Sequence, residues 1–93
     1  MKLRWTTLAL QDFEQAHDYI MQEDPEAAKR IAQRILDTTI RLKQFPRIGR
    51  VGEDEDTREL LVQKTPYLLV YSISGDFVEL LRVWHTSQDR FST

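Results

Sequence analysis

The chain has 93 residues, 41% of them hydrophobic and 30% charged. This composition fits one small globular domain, residues 1–93. The formal net charge of −2 argues against strong non-specific affinity for nucleic acid. With no cysteine and only two histidines, the chain offers no disulfide and no thiolate or histidine-rich metal centre, so we expect neither a metal nor a cofactor. No apolar run reaches the roughly 20 residues of a membrane span and the start lacks a signal-peptide pattern, so we expect a cytoplasmic protein without a membrane partner.

The first residues predict a short strand followed by a helix. The stretch "KLRWT" at residues 2–6 alternates between polar and apolar side chains, as a half-buried strand does. Thr6 or Thr7 can then cap a helix that runs to about Met21. Asp12 and the other acids of this helix lie mostly outside its apolar stripe, which consists of Leu10, Phe13, His17 and Ile20.

The second predicted helix has clear signals at both ends. Asp24 can cap it, Pro25 suits the first helical position, and Glu26 complements the helix dipole. The apolar positions repeat at intervals of three and four residues until Pro46 and Gly49 end the pattern. Because only "QED" separates the two helices, we expect an antiparallel helical hairpin.

From Thr57 onward the hydrophobic period changes from that of a helix to that of strands. Three strands are predicted, with short turns near Pro66 and at residues 74–76, and they cover residues 57–64, 66–73 and 77–85. Short connections indicate neighbouring antiparallel strands. The predicted fold is therefore α+β, in the order β-α-α-β-β-β, with an antiparallel helical hairpin packed on one face of a mainly antiparallel sheet and the other face at least partly open.

The last predicted strand carries two polar residues, Arg82 and His85, in an otherwise apolar run. A cation in such a run needs a partner or a water-facing side, and Glu59 or Glu79 could pair with Arg82. Strict alternation would place the two polar side chains on opposite faces, unless a bulge intervenes. It would also separate Val78, Leu80, Arg82 and Trp84 on one face from Phe77, Glu79, Leu81, Val83 and His85 on the other.

Four segments in order resemble the RelE/ParE toxin superfamily of bacterial type II toxin–antitoxin systems. They are "P-x-I-G-R" at 46–50, "T-R-E-L" at 57–60, "P-Y-L-L-V-Y" at 66–71 and "G-D-x-V-E-L-L-R-V-W-H" at 75–85. The likeness covers nearly the whole chain, including both helices. It implies a small cytoplasmic toxin whose cognate antitoxin binds and neutralises it.

One branch of this superfamily, the RelE-like toxins, cuts mRNA on the ribosome. The resemblance would then give Arg58 and Arg82 the role of holding phosphate, and His85 the role of acid or base. However, the tail from residue 86 has no tyrosine, and residues 47–56 have no lysine pair of the kind that RelE carries. The acidic run at 53–56 would also lie close to the path of a phosphate chain. The nuclease set is therefore incomplete, and we assign no catalytic residue.

The gyrase-directed ParE-like branch fits the sequence better, because its members need no hydrolytic site. The ending "ELLRVWH-x-x-Q" is similar to the ending of ParE-like proteins. The resemblance then implies DNA gyrase as the target and no small-molecule substrate, with the residues predicted to bind the target being Arg47, Arg50, Arg58, Arg82 and His85. Two alternatives stay open: a ribosome-dependent mRNA endonuclease, whose partners are the ribosome and mRNA, and a non-toxic module that binds an antitoxin or regulates its own operon.

Overall fold

The computed structural model describes residues 1–54 and 56–87 and contains two helices and a five-stranded sheet. The elements are β1 (Lys2–Trp5), α1 (Thr7–Glu23), α2 (Pro25–Gln44), β2 (Arg50–Val51), β3 (Arg58–Leu61), β4 (Tyr67–Ser74) and β5 (Phe77–His85). The strand order across the sheet is β1-β5-β4-β3-β2, and all pairs are antiparallel except β1 with β5. The predicted α+β class and element order are confirmed, and the two-residue strand β2 is an addition.

Both helices begin where the sequence predicts. The side-chain hydroxyl of Thr6 accepts a hydrogen bond from the Ala9 amide at 3.0 Å and caps α1. The Asp24 carboxylate accepts from the amides of Glu26 and Ala27 at 3.1 and 3.2 Å and caps α2. Asp24 alone separates the helices, so they form a tight hairpin. Neither helix is long and apolar enough to cross a membrane, within the residues described.

The hydrophobic core lies between the helical hairpin and one face of the sheet. Tyr67, Leu69 and Tyr71 of β4 point into it together, as the alternation of that strand predicts. The helices contribute fully buried side chains as well, among them Ile35 and Leu42. On the other face of the sheet Arg4, Arg50 and Leu61 are exposed, which agrees with the prediction of a partly open face.

A β-bulge in β5 changes which residues of that strand face the core. Val70 pairs with Arg82 whereas Tyr71 pairs with Leu80, so Leu81 has no partner in β4. The prediction of strict alternation is therefore wrong beyond Leu80. The extra residue moves Val83 to the core side, where only 4% of it is exposed. Since the bulge precedes both Arg82 and His85, these two residues still leave the strand on opposite faces.

The connections of the last three strands are tight, and they shorten β3 relative to the predicted range 57–64. The Val62 amide donates to the Tyr67 carbonyl at 2.9 Å, and the Thr65 hydroxyl donates to the Val62 carbonyl at 2.8 Å. Lys64 adopts a left-handed backbone conformation there, with φ of 62°. The turn between β4 and β5 contains Gly75 with φ of 58°, a conformation that glycine adopts at little cost.

Candidate functional site

Arg82 is held by Asp12, which lies on α1 beside the end of β5. Asp12 Oδ2 accepts from Arg82 Nε at 2.8 Å and Oδ1 accepts from Arg82 Nη2 at 3.0 Å, so the contact is bidentate. The same carboxylate accepts from the Val83 amide at 3.0 Å. These bonds exist because β1 ends at Trp5 and leaves the edge of β5 without a neighbouring strand from that point. Asp12 therefore closes an open strand edge and neutralises its cation.

Neighbouring groups stabilise the charged form of the Arg82 guanidinium. Hydrogen bonding by Asp12 raises the pKa of the Arg82 guanidinium further above its usual value, against a smaller opposing effect of burial. The guanidinium also lies 5.3 Å from the centroid of the Trp84 ring. Neither acid considered as a partner from the sequence is the one used, because Glu79 pairs with Arg4 and Glu59 pairs with Arg50, each at 3.0 Å.

His85 lies on the core side of the sheet at the end of β5, opposite Tyr67 of β4. The two rings meet edge to face with centroids 5.3 Å apart. His85 Nδ1 accepts a hydrogen bond from the Ser87 amide at 3.1 Å and lies 2.6 Å from the Ser87 hydroxyl oxygen. The ring borders a cleft of about 210 Å³ between α1 and the sheet, which Gln15 and Tyr19 also line. Burial, and secondarily the charge of Tyr19, raises the pKa of Tyr67.

Arg58 and Tyr71 fix the 46–49 loop, which is the segment between α2 and β2 that comprises residues 46 to 49. Arg58 Nη1 donates to the Gly49 carbonyl at 2.8 Å and to the Arg47 carbonyl at 3.3 Å. The Tyr71 hydroxyl donates to the Pro46 carbonyl at 2.7 Å and accepts from the Gly49 amide at 2.9 Å. Burial raises the pKa of Tyr71, although the Gly49 hydrogen bond and the Arg58 charge act in the opposite direction.

The two remaining predicted residues, Arg47 and Arg50, are exposed. Arg50 Nη2 lies 3.0 Å from Glu59 Oε1, with 72% of the arginine side chain exposed and 7% of the carboxylate side chain. Arg47 forms no side-chain hydrogen bond or ion pair with any other described residue. Arg47 lies within the 46–49 loop, and Arg50 directly follows it.

The structure therefore distributes the five predicted site residues over several places rather than one pocket. Arg82 joins α1 to β5, His85 borders the cleft beside α1, and Arg58 braces the 46–49 loop. Among the residues described, no group of three or more histidine, cysteine or acidic side chains could hold a metal ion. The tail from residue 88 and Glu55 of the acidic run, on which part of the sequence argument rested, lie outside the described residues.

The residue that sequence reasoning missed at this site is Asp12. The sequence pattern placed Asp12 outside the apolar stripe of α1, but its side chain is only 13% exposed and contacts a strand 70 residues later, whereas Leu10 of the predicted stripe is 48% exposed. One signal was present in the sequence, because Asp12 lies three residues after Ala9 and four before Ala16, which puts it on one helix face with two small apolar side chains. An acid in that position can reach the sheet against which the helix packs.

Comparison with known proteins places the chain in a family. The model of the ParE toxin of the type II toxin–antitoxin system parDE matches residues 3–90. The Y4kP protein of Sinorhizobium fredii is 40% identical over 87 residues, which are 94% of this chain and 90% of that protein. Toxin RelE2 of Caulobacter vibrioides is 34% identical over 84 residues, covering 90% of this chain and 93% of that one.

A solved structure gives the same result at the level of the fold. A chain from the chromosomal ParDE toxin–antitoxin system of P. aeruginosa superposes with a TM-score of 0.84 and is 26% identical. The match covers 91% of this chain and 95% of that one. With the matched family model and the two relatives, it establishes that the chain belongs to the ParE toxin family of type II toxin–antitoxin systems, within the RelE/ParE superfamily.

Proposed function

We propose that this toxin inhibits bacterial growth by blocking DNA gyrase through protein–protein contact, in the cytoplasm, and that its cognate antitoxin relieves the block. The whole activity would reside in one domain, residues 1–93. No nucleolytic step is involved, so the chain needs no catalytic residue of its own. The target would be bound by exposed side chains of a rigid surface.

The observation that carries this proposal concerns Arg58 and Arg82, the arginines suited to a nuclease. Both already donate hydrogen bonds to other groups of the protein. Cleavage of RNA by its own 2′-hydroxyl needs a base, an acid and cations free to stabilise the developing phosphate charge. Arg82 is bound bidentately by Asp12, and Arg58 donates to two backbone carbonyls of the 46–49 loop. Releasing either guanidinium toward a phosphate would leave partners in the fold without a hydrogen bond.

The surface around the 46–49 loop is the part of the predicted site that best suits contact with a target. Arg47 and Arg50 are exposed there, and 58% of Val51 is also exposed. The hydrogen bonds of Tyr71 and Arg58 hold this surface in one conformation, which lowers the entropy lost on binding. We propose that Arg47 and Arg50 contact gyrase, whereas Arg58 supports this surface from within, and Arg82 and His85 stabilise the fold elsewhere.

The proposal is tested by brief induction of the toxin alone in bacteria, while incorporation of labelled thymidine and labelled methionine is followed in parallel. Early loss of thymidine incorporation with methionine incorporation spared is expected for a gyrase block. The Arg47→Glu/Arg50→Glu variant should lose this effect. A matched control, Lys29→Glu/Arg30→Glu on the exposed side of α2, changes the net charge equally and should retain it.

The alternative function is ribosome-dependent cleavage of mRNA, and the relative named toxin RelE2 is the observation that favours it. In that case methionine incorporation would fall first, and Arg82→Ala would abolish the effect without unfolding the protein. If neither precursor's incorporation falls while the folded protein accumulates, the chain is not an active toxin and the proposal fails.

A further inference from the structure

The cleft of about 210 Å³ between α1 and the sheet contains a hydroxyl group that the fold leaves without a partner. Tyr67, which lines the cleft, is only 6% exposed, yet its side-chain hydroxyl forms no hydrogen bond with any described residue. Every fully buried side-chain nitrogen or oxygen of the described residues has a partner, so this hydroxyl must open into the cleft. A polar group at such depth is costly unless a bound group satisfies it.

Three rings line the cleft on different sides. Tyr67 and His85 meet at an angle of 87° with centroids 5.3 Å apart, so they form two walls that are nearly perpendicular. Tyr19 of α1 adds a third ring, close enough to Tyr67 that its charge raises the pKa of the Tyr67 hydroxyl. Several aromatic rings around one small volume favour an organic cation, because the face of each ring is electronegative.

The carboxylate of the cleft favours the same charge. Asp12 lines the cleft whereas its partner Arg82 does not, so the negative end of this ion pair faces the cleft. Asp12 Oδ2 accepts from Arg82 Nε and from the Val83 amide, but Oδ1 accepts only from Arg82 Nη2. Since a carboxylate oxygen can accept two hydrogen bonds, Oδ1 retains a position for a further donor.

His85 adds no positive charge to the cleft. The Ser87 amide donates to His85 Nδ1 at 3.1 Å, and because an amide N–H can only donate, Nδ1 carries no proton and the ring is neutral. None of the described residues that line the cleft is a lysine or an arginine. A bound anion would therefore meet the Asp12 carboxylate without a compensating cation, and an apolar group would leave the Tyr67 hydroxyl unsatisfied.

We propose that this cleft binds the arginine side chain of a basic segment in a partner protein. The guanidinium would lie among the rings of Tyr19, Tyr67 and His85 and donate to the Tyr67 hydroxyl and to Asp12 Oδ1. Arginine fits better than lysine, because its guanidinium is planar, weakly hydrated and suited to stacking on aromatic rings. The cleft is smaller than the roughly 300 Å³ at which pockets for free small molecules begin, so it suits one side chain presented by a protein.

This site is separate from the surface proposed to contact gyrase. Arg47 and Arg50 do not line the cleft, and the chemistry of the cleft is independent of which protein the toxin inhibits. A basic partner segment could therefore be recognised here even if the target were not gyrase.

The test uses a tripeptide Gly-Arg-Gly, blocked at both ends, titrated into full-length toxin with isotope-labelled tyrosine and histidine rings and followed by NMR. The Tyr67 and His85 signals should shift saturably, with half-saturation between about 1 and 10 mM. The same tripeptide with citrulline, a neutral analogue of arginine, should bind at least about tenfold more weakly. Methylguanidinium should bind at least about fourfold more weakly, because it lacks the methylene stem that would pack on Ala16 and Val83.

Two variants locate the binding site. Tyr19→Ala removes one ring and should weaken binding of the arginine tripeptide by about fivefold. Its control, Phe45→Ala, removes an exposed ring outside the cleft and should stay within about twofold of the parent. Tyr67→Phe keeps the buried ring and removes only the hydroxyl, and should weaken binding by about fivefold. Circular dichroism verifies that each variant is folded.

Each part of the proposal has a result that would overturn it. The absence of a saturable shift, or equal binding of the arginine and citrulline tripeptides, would overturn recognition of a cation. Unchanged binding by the folded Tyr19→Ala and Tyr67→Phe variants, or an equal loss in Phe45→Ala, would overturn the cleft as the site. Methylguanidinium binding as tight as that of the tripeptide would overturn a protein side chain as the occupant, in favour of a free small cation.

Discussion

Replacing Asp12 by alanine removes the carboxylate that joins α1 to the end of β5. The variant leaves the Arg82 guanidinium without its bidentate partner and the Val83 amide without an acceptor. Breaking a fully buried ion pair costs about 3 to 5 kcal/mol of folding free energy. Here 13% of the Asp12 side chain and 33% of the Arg82 side chain are exposed, so water can partly replace the lost contacts. We expect a loss of about 2 to 3 kcal/mol.

Urea unfolding followed by circular dichroism measures this loss. With a slope of about 1 kcal/mol per molar urea for a domain of this size, the midpoint should fall by about 2 to 3 M. Asp12→Asn should cost less, because an amide oxygen can still accept from the Val83 amide. Glu14→Ala, an exposed neighbour on the same helix, is the control and should change stability by less than about 0.5 kcal/mol.

A double-mutant cycle separates the Asp12–Arg82 contact from the other effects of each substitution. If the two side chains stabilise each other, the loss in the Asp12→Ala/Arg82→Ala double variant should be smaller than the sum of the single losses by about 1 to 2 kcal/mol. Additive losses would refute the coupling of Asp12 with Arg82, and an Asp12→Ala variant as stable as the Glu14→Ala control would refute the stabilisation of the β5 edge by Asp12.

Three further predictions concern Tyr71, Tyr67 and the 46–49 loop. Tyr71→Phe should cost about 1 to 2 kcal/mol in urea unfolding, because it removes both hydroxyl hydrogen bonds, whereas Tyr19→Phe on the exposed side of α1 should be neutral. Gly49→Ala should destabilise by about 1 to 3 kcal/mol, since the added Cβ would lie 2.6 Å from the Tyr71 hydroxyl oxygen and 2.7 Å from the Glu59 carbonyl oxygen. The raised pKa values of Tyr67 and Tyr71 give stability that is complete below the ordinary tyrosine pKa of 10.0 and is lost as pH rises through the raised values. Unfolding measured from pH 8 to 11 should show this decline, and Tyr71→Phe should reduce it; a flat profile would contradict the burial effect.

The elements that the sequence predicts well are those with local chemical signals. Asp24 followed by Pro25 marks the boundary between the helices whatever the rest of the chain does, because a cap and a first-turn proline act within one turn. The range 77–85 is recovered for β5 because strand residues run continuously between two turns. Thr6 likewise acts as the cap of α1, which ends at Glu23, two residues beyond the predicted position.

The features that escape prediction depend on contacts between distant segments. Strand β2 has two residues, and only pairing of Arg50 with Glu59 and Val51 with Arg58 makes it a strand. The sequence of β5 has two adjacent apolar residues, Leu80 and Leu81, at the position of the bulge, but only the pairing with β4 decides that Leu81 is the unpaired one. The same limit applies to the candidate site, where the residue types were recognised but the partner of Arg82 was not.

The bulge also determines which side chains of β5 face the core near the candidate site. Had the strand been regular, Arg82 and Trp84 would have shared the core side with Val78 and Leu80, and Val83 would have faced the other side. The shift brings Val83 onto the side of Leu80 while keeping Arg82 and His85 on opposite faces. The two residues that resembled parts of one catalytic site therefore have different neighbours: Asp12 binds one, and Tyr67 packs against the other.

The most direct test of the proposed target is a comparison of the purified toxin on two purified systems. In one, relaxed plasmid, gyrase and ATP report supercoiling; in the other, ribosomes programmed with a defined mRNA report cleavage of the message. Gyrase inhibition that the Arg47→Glu/Arg50→Glu variant loses, with the mRNA left intact, is the result expected for a ParE-like toxin that acts by contact. Cleavage of the ribosome-bound mRNA with gyrase unaffected would contradict the proposed gyrase block. It would instead favour catalytic roles for Arg58, Arg82 and His85.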